Sequence, residues 1–261
     1  MCECPVRSRT VKVGSGSTEL AKIHTSLIVS ALKESHPDVE FEVVTTDSLQ
    51  DKLSKASNLQ TVPKRKSDLA LLLGEVDCVV SSLKDVPIKL HQGLVIGCVF
   101  KRESPYDVVV LHPKYNGQSL ENLPNGSVIG TSSLRRSAQL SGRYTHLKFE
   151  TIKGSLNDRF RKLDEDDSYA GLILAEAGLV RMGWQHRISE VRLPRDICMY
   201  ALCQGAIGVK CREQDSEIIN MLQPINDKEA ALQCVAERSF FKNGVQNSFC
   251  KTLFVLQERC I

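Results

Sequence analysis

Residues 130–136 read GTSSLRR, set between an apolar run that ends at Ile129 and a stretch carrying Ala138 and Leu140 at helical spacing. A strand, a small polar turn and a helix follow one another, and the helix opens with two arginines. At a helix start the first backbone N–H groups have no intrahelical partner and the macrodipole is positive. Thr131, Ser132 and Ser133 therefore suit both tasks, capping the helix and presenting amides to an anion. Arg135 and Arg136 add planar guanidinium forks matched to carboxylates or phosphates. An ordinary capped helix with two solvated arginines has the same local pattern; a second segment favours the pocket.

Residues 76–80 are apolar and run straight into Ser81, Ser82, Leu83, Lys84 and Asp85, closed by Val86 and Pro87. The polar cluster thus sits at the carboxyl end of an expected buried strand, the edge where open α/β sheets bind ligands. SSLKD and GTSSLRR are expected to face one cleft from two sheets. Asp85 is then the odd charge among cations, suited to holding a cation or an N–H group; the alternative is a turn-forming aspartate ahead of Val86 and Pro87. Ser81 and Lys84 also spell SxxK, the nucleophile motif of one class of serine enzymes, but its companions SDN and KTG do not occur.

The chain has 261 residues, enough for two compact domains. Its 42% hydrophobic and 25% charged residues, with few aromatics, describe a globular rather than a disordered chain. No apolar stretch approaches the ~20 residues that span a bilayer. MCECPVRSRT at the N-terminus lacks the apolar core of a signal peptide, so the cytoplasm is expected. A net charge of +3, with basic and acidic residues interspersed, gives no ground for a nucleic-acid partner. Local positive charge at Arg135, Arg136, Lys153, Arg159 and Arg161 suits a small polyanion instead. The chain has ten cysteines, several of them, such as Cys78, Cys98, Cys203, Cys211 and Cys234, in apolar surroundings that suit free buried thiols. Cys2 and Cys4 have no matching pair at zinc spacing, so no metal is expected.

Periodicity predicts a strand at 11–14, a helix at 18–34, strands at 40–45, 76–80 and 94–100, and a short helix at 67–73. This alternation predicts βαβ units and a mainly parallel sheet. A second unit is expected to hold strands at 107–111, 127–130 and 147–152 and helices at 134–140, 156–164 and 176–183. The run 199–209 reads as a returning crossover, 216–222 as a helix closing the first sheet, and 227–242 as an amphipathic helix. The expected division is 1–101 with 201–224, then 102–200, then 225–261.

SLKD, GTSSLRR, the stretch from Lys153 to Asp164, LAEAGLVRMGW and QGAIGV, in one order across roughly residues 11–243, resemble the porphobilinogen deaminase (hydroxymethylbilane synthase) family. The resemblance implies an α/β fold of two lobes like periplasmic binding proteins with a double crossover, followed by a small α+β third domain that is shortened here. It implies the joining of four porphobilinogens into a linear tetrapyrrole with loss of ammonia, in haem and porphyrin biosynthesis. Asp85 and Lys84 are then the catalytic residues, and a monomer is expected. Ser82, Thr131, Ser132, Ser133, Arg135, Arg136, Lys153, Arg159 and Gln204 would bind the carboxylates of substrate and of a covalent dipyrromethane cofactor.

Several positions depart from the family pattern. Ser248 stands where the cofactor-bearing cysteine is expected, and Cys250, two residues on, substitutes only if the loop shifts; a serine oxygen is a much weaker nucleophile than a thiolate. Gly16 replaces an arginine in the first loop, Lys153 replaces another before Gly154, and Ser81 replaces a histidine before SLKD. The alternative they suggest is a chain that binds a small polycarboxylate without turning it over.

Overall fold

The computed structural model describes residues 10–45, 65–189 and 192–244. The chain divides into two compact units, one of residues 1–102 with 206–232 and the other of 103–205 with 233–261. Residues 201–205 thus go with the second unit and 225–232 with the first.

In the first unit the strands are β1 (Thr10–Ser15), β2 (Glu40–Thr45), β3 (Cys78–Ser82) and β4 (Leu94–Phe100), joined by a late strand, Ile207–Arg212. The sheet order is β2, β1, β3, the late strand, then β4. β1 runs parallel to β2 and β3, while the late strand is antiparallel to both of its neighbours. Four strands thus run in one direction, as the alternation predicts, and the late strand runs against them: a chain that leaves the unit and returns enters it in the opposite direction. Helix α1 (Glu19–Ser35) begins where the Thr18 hydroxyl accepts the Ala21 N–H at 3.3 Å, and it buries His24, Thr25, Ile28, Val29 and Leu32 along one face. Ile28, Val29 and Leu32 meet Val11, Val13, Val80, Ile207 and Val209 in one core. On α2 (Lys66–Leu72), Asp68 is buried and pairs with Lys210 of the late strand, whose side chain is also buried.

The second unit holds β5 (Asp107–Leu111), β6 (Val128–Gly130), β7 (Lys148–Glu150) and β8 (Gly171–Ala175), which makes the late strand of the first unit β9. The order is β5, β8, β6, β7, with β5 antiparallel to β8 and the other pairs parallel. β8 occupies an interior position, yet periodicity does not single it out. Three helices follow strands: α3 (Leu134–Arg143), α4 (Leu156–Glu165) and α5 (Glu176–Arg181). Helices α6 (Ser216–Leu222) and α7 (Lys228–Gly244) come last. On α7, Ala230, Cys234 and Phe241 are buried while Leu232, Val235 and Phe240 are exposed, so apolar residues lie on more than the one face expected. Cys78, Cys98, Cys198, Cys203, Cys211 and Cys234 are buried thiols outside any disulfide. Among the described residues no helix is long and apolar enough to cross a membrane, and no group of His, Cys, Asp or Glu side chains could hold a metal.

One turn of the second unit tolerates no side chain at its glycine. Gly205 has φ +90°, and a Cβ there would sit 2.2 Å from the Glu103 carbonyl oxygen. Gly205→Ala is expected to destabilise this unit by at least the ~1–3 kcal/mol of an unfavourable backbone conformation. Thermal melts of the purified variant check this.

Candidate functional site

In the first unit, β3 ends at Ser82 and one short helical turn, Leu83–Asp85, follows. Leu83 anchors it: its side chain is buried, its N–H donates to the Ala206 carbonyl at 3.0 Å, and Val86 N–H closes the turn onto the Leu83 carbonyl at 3.1 Å. A Cβ on Gly208 would come within 2.7 Å of Leu83 Cδ1, so the glycine makes room for the anchor. With Leu83 turned inward, Lys84 is half-buried and Asp85 is exposed. The Asp85 carboxylate therefore meets solvent. Ser82 is half-buried, with its Oγ 3.5 Å from Nδ1 of buried His24.

In the second unit, parallel β6 and β7 end side by side, and each leads into a helix start. After β6, Thr131 N–H donates to Glu150 O at 2.9 Å, Thr131 Oγ1 accepts Ser133 N–H at 3.2 Å, and the Ser132 hydroxyl donates to Ile152 O. Ser133 caps α3, its Oγ accepting the Arg136 N–H at 3.4 Å. After β7, Ser155 and Asp158 form a reciprocal capping box on α4. Arg159 Nε donates to Gly154 O at 2.9 Å, and Lys153 is exposed in the same loop. Thr131, Ser132, Ser133, Lys153 and Arg159 are thus brought to one sheet edge, where two helix N-termini and two cations favour anions.

Arg135 and Arg136 are arranged differently from the open forks the sequence predicts. Both are buried and both pair with Asp107, at the start of β5: Arg135 Nη2 lies 2.7 Å from Oδ2, and Arg136 Nη2 and Nε lie 2.7 and 3.0 Å from Oδ1. Gln204 Nε2 donates to the same Oδ1 at 2.9 Å and also to the Pro105 carbonyl at 2.6 Å. The Cys198 thiol lies 3.6 Å from Oδ2, its pKa raised to about 11 by burial and then by the Asp107 charge. Burial alone would raise the Asp107 pKa, but the charges of Arg136 and Arg135 and their hydrogen bonds hold it well below the usual carboxylate range.

A depressed folded-state pKa means that the unfolded chain binds the proton more readily. Asp107 therefore stabilises the fold above the ordinary carboxylate pKa of about 3.9, and that contribution is lost as pH falls below it towards the folded value. Urea midpoints followed against pH are expected to drop below about pH 4 more steeply in the parent chain than in Asp107→Asn.

Asp107, His24 and Cys198 escape the motif-based site. Asp107 did leave a signal, since a carboxylate opening the apolar run DVVVL must find a cation if that run is buried. Ser248 and Cys250 lie outside the described residues.

These features define a class: a two-unit α/β protein with an exposed carboxylate on one unit's strand-end turn and two helix N-termini at a sheet edge of the other. The family model described as "Porphobilinogen deaminase, dipyromethane cofactor binding domain" matches residues 11–220. Curated porphobilinogen deaminases from Synechococcus elongatus and Gloeobacter violaceus are 39% and 41% identical to this chain, each over 90% of it and over 74% and 73% of their own length. One from Desulforamulus reducens is 40% identical over 89% of this chain and 75% of its own. A looser likeness, at 14% identity and a TM-score of 0.48, covers 87% of this chain and 97% of a Salmonella typhimurium periplasmic binding protein with high arginine specificity. The chain belongs to the porphobilinogen deaminase family. Its β6–β7 edge, with hydroxyls, helix N-termini, Lys153 and Arg159, has the donor chemistry that a dipyrromethane bearing several carboxylates requires.

Proposed function

We propose that this chain is a hydroxymethylbilane synthase, joining four porphobilinogens into a linear tetrapyrrole with release of ammonia, a step of haem and porphyrin biosynthesis. The observation that carries its chemistry is Asp85, an exposed carboxylate beside Lys84 on a turn fixed by buried Leu83. Loss of ammonia from an aminomethylpyrrole leaves a cationic azafulvene. A fixed negative charge at the pyrrole nitrogen stabilises that charge as it develops. Asp85 accepts the pyrrole N–H and then steadies the cation, while Lys84 binds a substrate carboxylate or moves a proton. Because Asp85 is exposed, the arriving substrate itself displaces the water around it.

Ser82, Thr131, Ser132, Ser133, Arg135, Lys153 and Arg159 bind the acetate and propionate groups of the pyrroles, while Arg136 and Gln204 contribute by holding Arg135 in place through Asp107. When bound, dipyrromethane supplies the growing end to which each pyrrole is added, and Cys250 is its proposed attachment residue. The chain is proposed to work as a monomer in the cytoplasm, with neither nucleic acid nor membrane as partner. The alternative of binding without turnover is not favoured by the family match.

Purified protein incubated with porphobilinogen, then oxidised, is expected to develop uroporphyrin absorbance. Absence of product together with no mass added at any cysteine would overturn the proposal. Arg159→Ala is expected to raise KM about tenfold or more, the loss of one charge-assisted carboxylate contact, as initial rates against porphobilinogen concentration would show.

A further inference from the structure

Two arginines and one carboxylate leave the buried Asp107 cluster with one surplus positive charge. The Asp107 side chain has 0% exposure, and those of Arg135 and Arg136 have 8% and 7%. An unbalanced buried charge is costly unless an anion meets it. The two guanidinium groups are also unequally engaged. Arg136 places Nε on Asp107, Nη1 on the Ile173 carbonyl, and Nη2 on both Asp107 and Gln204. Arg135 uses Nη1 towards Met199 O and Cys198 Sγ and Nη2 towards Asp107, and its Nε has no protein acceptor among the described residues.

We infer that Asp107 is a positioning residue for substrate binding, fixing the Arg135–Arg136 doublet and reducing its charge so that the doublet accepts one carboxylate of porphobilinogen rather than two. This rests on the proposed function for the identity of the ligand, and on the contacts above for the charge count. Gln204 supports the arrangement from the 201–205 turn by binding Asp107 Oδ1 and the Pro105 carbonyl together. Arg136 holds the doublet in place, and Arg135 faces the ligand.

The test is calorimetric titration of porphobilinogen into the full chain carrying Asp85→Asn, which slows turnover, alone and combined with Asp107→Asn or Asp107→Glu. Asp107→Asn is expected to raise Kd about tenfold, the loss of one oriented charge-assisted contact, and Asp107→Glu to recover most of it. Sulfate supplies the readout that a merely structural role would not move. With two unbalanced cations, Asp107→Asn is expected to bind sulfate several-fold more tightly than the parent. Unchanged Kd values for porphobilinogen in the folded variants, or equal sulfate binding, would overturn the inference. Should Asp107→Asn fail to fold, Asp107→Glu carries the test, with a Kd about threefold above the parent expected and an identical Kd overturning it. A parent that gives no heat with porphobilinogen contradicts the proposed function instead, and the sulfate titration then decides the charge count by itself.

Discussion

Asp85→Asn is expected to lower kcat for porphobilinogen by about 10²–10³, the usual cost of removing one group aimed at developing charge. The substitution keeps size and hydrogen-bonding capacity while removing the negative charge, so it isolates the electrostatic contribution. Asp85 is exposed, and the turn that carries it is held by the backbone and by buried Leu83, so the melting temperature should stay that of the parent. Asp85→Glu restores the charge one methylene further out and should recover part of the rate. Steady-state rates of uroporphyrin formation for the three proteins measure this, and equal kcat values would remove Asp85 from the chemistry.

The second large effect concerns stability. Lys210 and Asp68 form an ion pair in which the side chains keep 1% and 8% of their exposure. Burial lowers the Lys210 pKa, and Asp68 works against that shift. Asp68→Ala leaves the ammonium buried without its carboxylate, a change that costs about 3–5 kcal/mol. For a protein of this size that corresponds to a fall in melting temperature on the order of 10 °C. Asp68→Leu combined with Lys210→Met removes both charges at similar volume and is expected to restore most of the loss. Thermal melts of the single and double variants form the cycle, and an Asp68→Ala chain as stable as the parent would show that the pair contributes nothing.

The parts of the fold most legible in the sequence are those fixed by neighbouring residues. Ser133 caps α3 and Thr18 caps α1 because short hydroxyl side chains sit one residue before an apolar-periodic run. β8 is harder to see: GLILA, mostly buried and flowing directly into α5, shows no alternation and resembles the first turn of the helix that follows. The reversed direction of β9 comes from where the chain re-enters its sheet, which no local pattern encodes.

The site divides along the same line. GTSSLRR announces an anion-binding helix start, and Ser132, Ser133 and Arg159 do gather at one sheet edge. That Arg135 and Arg136 are bound to Asp107, 28 and 29 residues away in sequence, depends on long-range packing. A charge that opens a buried strand predicts that a partner exists but not which one. Asp85 stands exposed because its neighbour Leu83 is the side chain that turns inward, a choice set by the space that Gly208 leaves.

Intact-mass spectrometry of the purified chain, before and after brief exposure to porphobilinogen, shows whether it carries a covalent dipyrrole and extends it. The starting mass is expected to exceed that of the bare polypeptide by one dipyrrole and then to rise in a ladder of single pyrrole units, with fragments naming the attachment residue. A chain that keeps the bare polypeptide mass in both samples and releases no ammonia would contradict the proposed function.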